Sequence, residues 1–180
     1  MKQDITLKIE IPEGVNAELN KDLLKISGPQ GEVIRNFKDM KISIKKENSC
    51  IILDVKKATK KEKARIYTYE KHIKNMIKGV VEGHEYEVKI CSGHFPMNVS
   101  FSNNKLVVKN FLGEKYPREL NIDPRVDVKV EGDYIKISSP DIELAGQTAA
   151  NMELLTRITN RDRRIFQDGL YITKKPTKEL

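Results

Sequence analysis

The chain carries one pattern twice, which fixes its organisation before any residue is assigned a role. Residues 24–32, LKISGPQGE, return 82 positions later as residues 106–114, LVVKNFLGE, so that Leu24, Ile26, Gly31 and Glu32 are answered by Leu106, Val108, Gly113 and Glu114. A second block follows at an offset of 84, where Ile42, Ile44, Lys45, Glu47, Ile51 and Leu53 meet Val126, Val128, Lys129, Glu131, Ile135 and Ile137. A period near 80 is too long for a solenoid repeat and long enough for a small domain. The expected fold is therefore α+β, with two tandem copies of one small domain at 1–81 and 82–160. Each copy sets antiparallel strands against one helix, and a basic C-terminal extension follows at 161–180.

Local signals fill in the copies. Alternating residues in IEIP, LLKIS and EVIRNF predict strands, with Gly28-Pro29-Gln30-Gly31 as a hairpin turn and a second hairpin around Glu47-Asn48-Ser49. Four or five strands are expected before the first helix. Thr59 and Glu62 have capping-box spacing, and Ile66, Tyr69, Ile73, Met76, Ile77 and Val80 keep a helical stripe, with Gly79 as the expected stop. The second copy repeats the order and ends in a helix from about Ile142 to Ile158. Asp141 is its expected cap, and its small buried face is Ala145, Ala149 and Met152.

Charge is the next constraint. The net charge is +7 and unevenly placed: residues 1–80 hold 18 Lys and Arg against 11 Asp and Glu, residues 81–156 hold 8 against 12, and residues 157–180 hold 7 against 3. Four of the eight arginines, Arg157, Arg161, Arg163 and Arg164, fall within eight residues. The planar arginine fork suits bidentate phosphate contacts and stacking on bases. No apolar run reaches the roughly 18 residues of a membrane span, and the N-terminal MKQDITLK has no apolar core of a secretory signal, so no membrane partner and a cytoplasmic location are expected.

Catalytic patterns are missing. GPQGE lacks the Lys-Ser/Thr ending of a P-loop, and neither HExxH, GxSxG nor paired CxxC occurs. Cys91 and His94 have metal-like spacing, but His72 and His84 lie in the first helix and the linker, so neither a metal nor another cofactor is expected. Cys91, His94 and Asp141 hold the residue types of a nucleophilic triad and no more than that. Cys50 and Cys91 sit at non-equivalent places in the copies and offer no disulfide framework.

Three segments suit a binding role, each with a plainer alternative. The lysine-rich run 56–65 is either a phosphate-contacting patch or a solvated helix start. In the hairpin Asn110 to Arg118, Phe111 and Leu112 replace Pro29 and Gln30 at a turn expected to be exposed; either they pack on the neighbouring domain or they meet a partner. The stretch Arg161 to Tyr171 interleaves arginines with Phe166 and Tyr171, as an RNA-binding segment does, or it is a solubilising tail. The last ten residues are expected to be partly ordered at best, because they bury little to offset about 1–2 kcal/mol of backbone entropy per residue.

With these residues goes a family resemblance. NMIKGV (75–80), HFPMNV (94–99), NFLGEKY (110–116) and RRIFQDGLYITKK (163–175) make the whole chain similar to large-ribosomal-subunit protein six in its archaeal and eukaryotic form, called protein nine in eukaryotes. One departure is Leu154, where the family's closing pattern has glutamine. The resemblance implies a structural ribosomal constituent and no enzyme, with partners in large-subunit rRNA, neighbouring large-subunit proteins and nearby translation factors, and no homo-oligomer. It implies that the second domain and tail hold rRNA near the sarcin-ricin loop and the base of the factor-binding stalk, the first domain being more peripheral. Carried over by position, it points to His94, Phe95, Asn110, Phe111, Leu112, Gly113, Lys115 and Tyr116. In the tail it points to Arg161, Arg164, Phe166, Asp168, Gly169, Tyr171 and Lys175, which Arg157, Arg163 and Lys174 extend. The rival reading is a two-domain protein-interaction scaffold with a solubilising tail.

Overall fold

The computed structural model describes residues 3–47, 49–176 and 178–179. The chain forms two compact units, residues 1–83 and 84–180.

The first unit holds six strands: β1 (Gln3–Glu10), β2 (Asn16–Asn20), β3 (Leu23–Gly28), β4 (Gly31–Asn36), β5 (Ile42–Glu47) and β6 (Cys50–Ala58), followed by α1 (Lys60–Glu82). They make two antiparallel three-stranded sheets, in the orders β1-β6-β5 and β2-β3-β4. Period-two alternation sends Leu24 and Ile26 of β3 and Ile51, Leu53 and Val55 of β6 inward, where they meet Ile66 and Ile73 of α1. Asn48, in the expected β5–β6 turn, lies outside the described residues.

Thr59 and Glu62 form the expected capping box, the Glu62 carboxylate accepting the Thr59 backbone N–H at 2.9 Å. Gly79 is not the stop. It is a buried helical residue, and its carbonyl accepts the N–H of Gly83, which caps the helix at φ 81°. The β3–β4 tip docks here: Gln30 donates its N–H to the Val80 carbonyl at 3.0 Å, and a Cβ on Gly28 would sit 2.8 Å from that same oxygen. Only glycine allows this approach.

The second unit repeats the plan with β7 (His84–Cys91), β8 (Asn98–Ser102), β9 (Lys105–Lys109), β10 (Arg118–Asn121), β11 (Asp127–Glu131), β12 (Tyr134–Ser139) and α2 (Ile142–Leu155). Asp141 caps α2, accepting the Glu143 N–H at 2.9 Å, and the helix ends at Leu155, with Thr156 as its C-cap, rather than at Ile158. Ala145, Ala149 and Met152 are fully buried. At Gly146 a Cβ would meet the Tyr86 hydroxyl at 2.8 Å, so the small face brings α2 close to β7.

The copies differ after the helix. Residues Gly169–Lys175 form β13, which pairs antiparallel with β7 in a sheet ordered β11-β12-β7-β13-β14, β14 being Lys178–Glu179. Of the last ten residues, expected to be partly ordered at best, Tyr171–Lys175 are thereby paired in the sheet, while Thr177 and Leu180 lie outside the described residues. Leu170 is 1% exposed within the core, and β7 offers its free edge to the backbone. Burial of about 1.5–3 kcal/mol for one such side chain, joined to a ladder of hydrogen bonds, offsets an entropy that local composition alone could not.

Candidate nucleic-acid interface

Three loops of the second unit converge at one end of β13. The first, residues 92–97, leaves β7; the second joins β9 to β10; the third, residues 156–168, runs from α2 to β13. Asp168 ties the first to the third. Its carboxylate, 2% exposed, accepts the Gly93 N–H at 2.6 Å and the His94 N–H at 2.9 Å, and meets His94 Nδ1 at 2.5 Å. Burial opposes its charged form, but these bonds outweigh burial and hold its pKa below the ordinary carboxylate value.

His94 is thereby set against Phe166, with ring centroids 4.8 Å apart and planes 25° apart. The Arg161 guanidinium lies 4.9 Å from the Phe166 centroid. Arginine, phenylalanine and histidine thus form one stack, a cation–π contact on a ring held by a neighbour. The second loop joins through Asn110, in the left-handed region at φ 60°, whose amide donates to the Pro96 carbonyl at 3.0 Å. The exposed Phe95 ring lies across Gly113, 3.6 Å from where a Cβ would stand.

Phe111 corrects the sequence reading of this hairpin. Expected to be exposed for a neighbouring domain or a partner, it is instead 1% exposed, in the core of its own unit. A short 3-10 turn at Phe111–Gly113, with Leu112 at φ 48°, rotates the ring inward. Arg118 lies over it at 4.2 Å, pairs with both Glu114 oxygens and donates Nη1–H to the Leu155 carbonyl at 2.7 Å. The hairpin is clamped to the end of α2, and the same guanidinium lowers the Glu114 pKa. Arg118 is the residue sequence reasoning left out of the site, since its spacing marks only a strand start.

Arg157, Arg161 and Arg163 are exposed and form no ion pair among the described residues, whereas Arg164 is held by Asp162 at 2.8 Å. Arg163 and Tyr171 separate two depressions. One is an open cleft of about 830 Å³ beside Gly93 and His94; the other, of about 240 Å³, is lined by Leu154 and Arg157. Burial raises the Tyr171 pKa above that of an ordinary phenol. Asp141, occupied as a helix cap, is no third member for Cys91 and His94; the acid at His94 is Asp168.

The Ribosomal protein L6 family matches residues 11–83 and 95–169, one repeat in each unit. The chain belongs to the ribosomal protein L6 family. Proteins called large ribosomal subunit protein uL6 are similar to it throughout. That of Haloarcula marismortui is 40% identical over 96% of this chain and 97% of its own length. That of Sulfurisphaera tokodaii is 42% identical over 93% and 91%, and that of Methanococcus vannielii 43% over 96% and 95%.

In this L6-family chain the selected residues divide by position. His94, Phe95, Lys115, Tyr116, Arg157, Arg161, Arg163 and Arg164 reach the surface of the loop cluster, with Phe166, Leu112 and Tyr171 half-buried behind them. Asp168, Gly169 and Phe111 are buried, with Asp168 tying the first loop to the third. Gly169, at φ 151°, stands 3.2 Å by its absent Cβ from the Thr156 hydroxyl, which accepts the Leu170 N–H at 2.8 Å. Lys174 and Lys175 are exposed elsewhere: Gly169 pairs with Cys91 but Lys174 pairs with Glu87, about 17 Å further along the strand.

Proposed function

We propose that this chain is a structural, non-enzymatic constituent of the large ribosomal subunit that grips large-subunit rRNA through the loop cluster of its second unit. Membership of the L6 family and relatives named as large-subunit proteins support the ribosomal role, and with it a place in the cytoplasm among neighbouring ribosomal proteins. The observation that carries the RNA reading is the Arg161–Phe166–His94 stack with Arg157 and Arg163 exposed beside it. Guanidiniums there neutralise phosphates and release counterions, while Phe95, Tyr116 and Tyr171 offer faces to sugars or splayed bases. A rigid cluster built from three loops reads the shape of folded RNA rather than base edges. In this reading that RNA lies near the sarcin-ricin loop and the base of the factor-binding stalk, with translation factors close by, a position supported by the likeness of segments 94–99, 110–116 and 163–175 to the family.

Truncating the chain at residue 157 would strip β13 from the core, so point substitution gives the cleaner test. Filter binding of the full chain to large-subunit rRNA against excess tRNA, across a salt series, is expected to show selective binding. Replacing Arg161, Arg163 and Arg164 with Ala should weaken it and lower the salt slope by up to about 0.9 per lost phosphate contact. Unchanged affinity and slope would remove the cluster from RNA binding, and salt-insensitive association with proteins alone would favour an interaction scaffold.

A further inference from the structure

The unit without the arginine cluster carries nearly all the net charge. Residues 1–83 hold 18 Lys and Arg against 12 Asp and Glu, while residues 84–180 hold 15 against 14. Much of the excess lies on one helix. Lys60, Lys63, Tyr67, Lys71, Lys74 and Lys78 recur at intervals of three and four, so they share a face, and all six are exposed. Ile66, Ile73, Met76 and Val80 occupy the buried face of α1. From Lys60 to Lys78 the stripe runs about 27 Å.

From this geometry we infer that the outer face of α1 is a second RNA-contacting surface, docking on the phosphate backbone. The inference rests on the reading of the chain as an rRNA-bound protein but uses a surface separate from the loop cluster. Comparison with the duplicated helix supports it: α2 occupies the same place in the fold and contains no Lys or Arg, so packing this fold does not call for a cationic outer face. The charges of α1 are also badly placed for stability. Lys60, Lys61 and Lys63 crowd a helix N-terminus, where cations are unfavourable. The one acid in that turn, Glu62, is bound by Lys41 at 2.6 Å and by Thr59. Because the capping box occupies this end, the surface works through lysine charge along the helix rather than through free amides.

Lys60, Lys61, Lys63 and Lys71 form no ion pair among the described residues. Lys74 and Lys78 are themselves exposed and pair only within the helix, one turn away, with the half-buried Glu70 at 2.6 Å and the exposed Glu82 at 3.8 Å, contacts a phosphate can replace. Lysine is depleted at protein–protein interfaces and enriched where phosphate is bound, which favours RNA over an acidic protein as the occupant. Tyr67, 43% exposed in mid-stripe, supplies a surface for a sugar or base. Lysine point charges without a fork predict contact that positions the domain and does not read sequence.

The test is the full chain with Lys60, Lys63 and Lys71 all changed to Gln, bound to a large-subunit rRNA transcript across a salt series, with circular dichroism to verify that α1 stays folded. Loss of three contacts should make the log–log salt slope shallower by about 2 to 3 and cut affinity on the order of tenfold or more. A triple Lys-to-Arg variant should keep the wild-type slope. Photo-crosslinking from a Lys63→Cys derivative in reconstituted subunits should label rRNA. An unchanged slope in the Gln variant, or crosslinks to protein alone, would overturn the inference while the wild-type chain still binds. If the wild-type chain itself shows no selective rRNA binding, the functional reading falls and takes this one with it.

Discussion

The buried carboxylate of Asp168 holds both the ring and the main chain of His94, meeting Nδ1 at 2.5 Å and the backbone N–H at 2.9 Å, across 74 residues of sequence. One side chain thus sets the position of a loop and the orientation of the histidine that backs the Phe166 ring.

Asp168→Asn keeps the shape and removes the charge that three donors satisfy. It should destabilise the second unit by about 1–3 kcal/mol and weaken RNA binding, although Asp168 is too buried to touch RNA. Its folded pKa is below the ordinary 3.8, so the carboxylate's contribution is complete above that pH and is lost as pH falls through the lower folded value. Thermal melts of the wild type should therefore drop on acidification below about pH 4, and the variant should drop less steeply. Identical pH profiles would count against the role given to this carboxylate.

Arg118→Lys tests the clamp on the hairpin. Lysine keeps the charge but cannot engage both Glu114 oxygens, reach the Leu155 carbonyl and lie flat on Phe111 together. A loss of about 1–2 kcal/mol in urea unfolding of the second unit is expected. A change within error of zero would mean the side chain is only decoration.

Gly28→Ala should act on the first unit alone. The new methyl would stand 2.8 Å from the Val80 carbonyl oxygen, against helical backbone that cannot turn aside. A cost of about 1–3 kcal/mol is expected. Hydrogen exchange should rise in peptides from residues 1–83 and remain as in wild type in those from 84–180.

Glu62 gives the first unit its own acid sensitivity. Its pKa is drawn from 4.5 to about 2, first by Lys41 and then by Thr59. The stabilisation is complete above 4.5 and disappears as pH falls toward 2. Glu62→Gln should flatten the pH dependence of the first unit's melting over that interval, and a wild-type slope in the variant would refute the assignment.

The duplication was legible because both copies bury the same positions: Leu24 and Leu106, like Ile26 and Val108, are fully enclosed. Periodicity also revealed most strands and both helices. It missed β2, whose Asn16-Ala17-Glu18-Leu19-Asn20 alternates weakly and takes its register from β3. Turn chemistry misled at Phe111, since equivalence with Pro29 and Gln30 said nothing of a 3-10 turn that points the ring inward. The arginine cluster was visible as composition, and His94 through family likeness. Their joining by Asp168 was not, because nothing local in either loop encodes a partner 74 residues away.

The pairing of β13 with β7 also sets an order of events during translation. Every core residue of the first unit lies at or before Val80, so that unit can close while the rest of the chain is still unmade. The second unit stays open along β7 until Leu170 has emerged from the ribosome making it. The arginine loop lies between α2 and that strand, so it has no fixed shape on the nascent chain. The RNA contact proposed for it is therefore withheld until the last core strand has been synthesised.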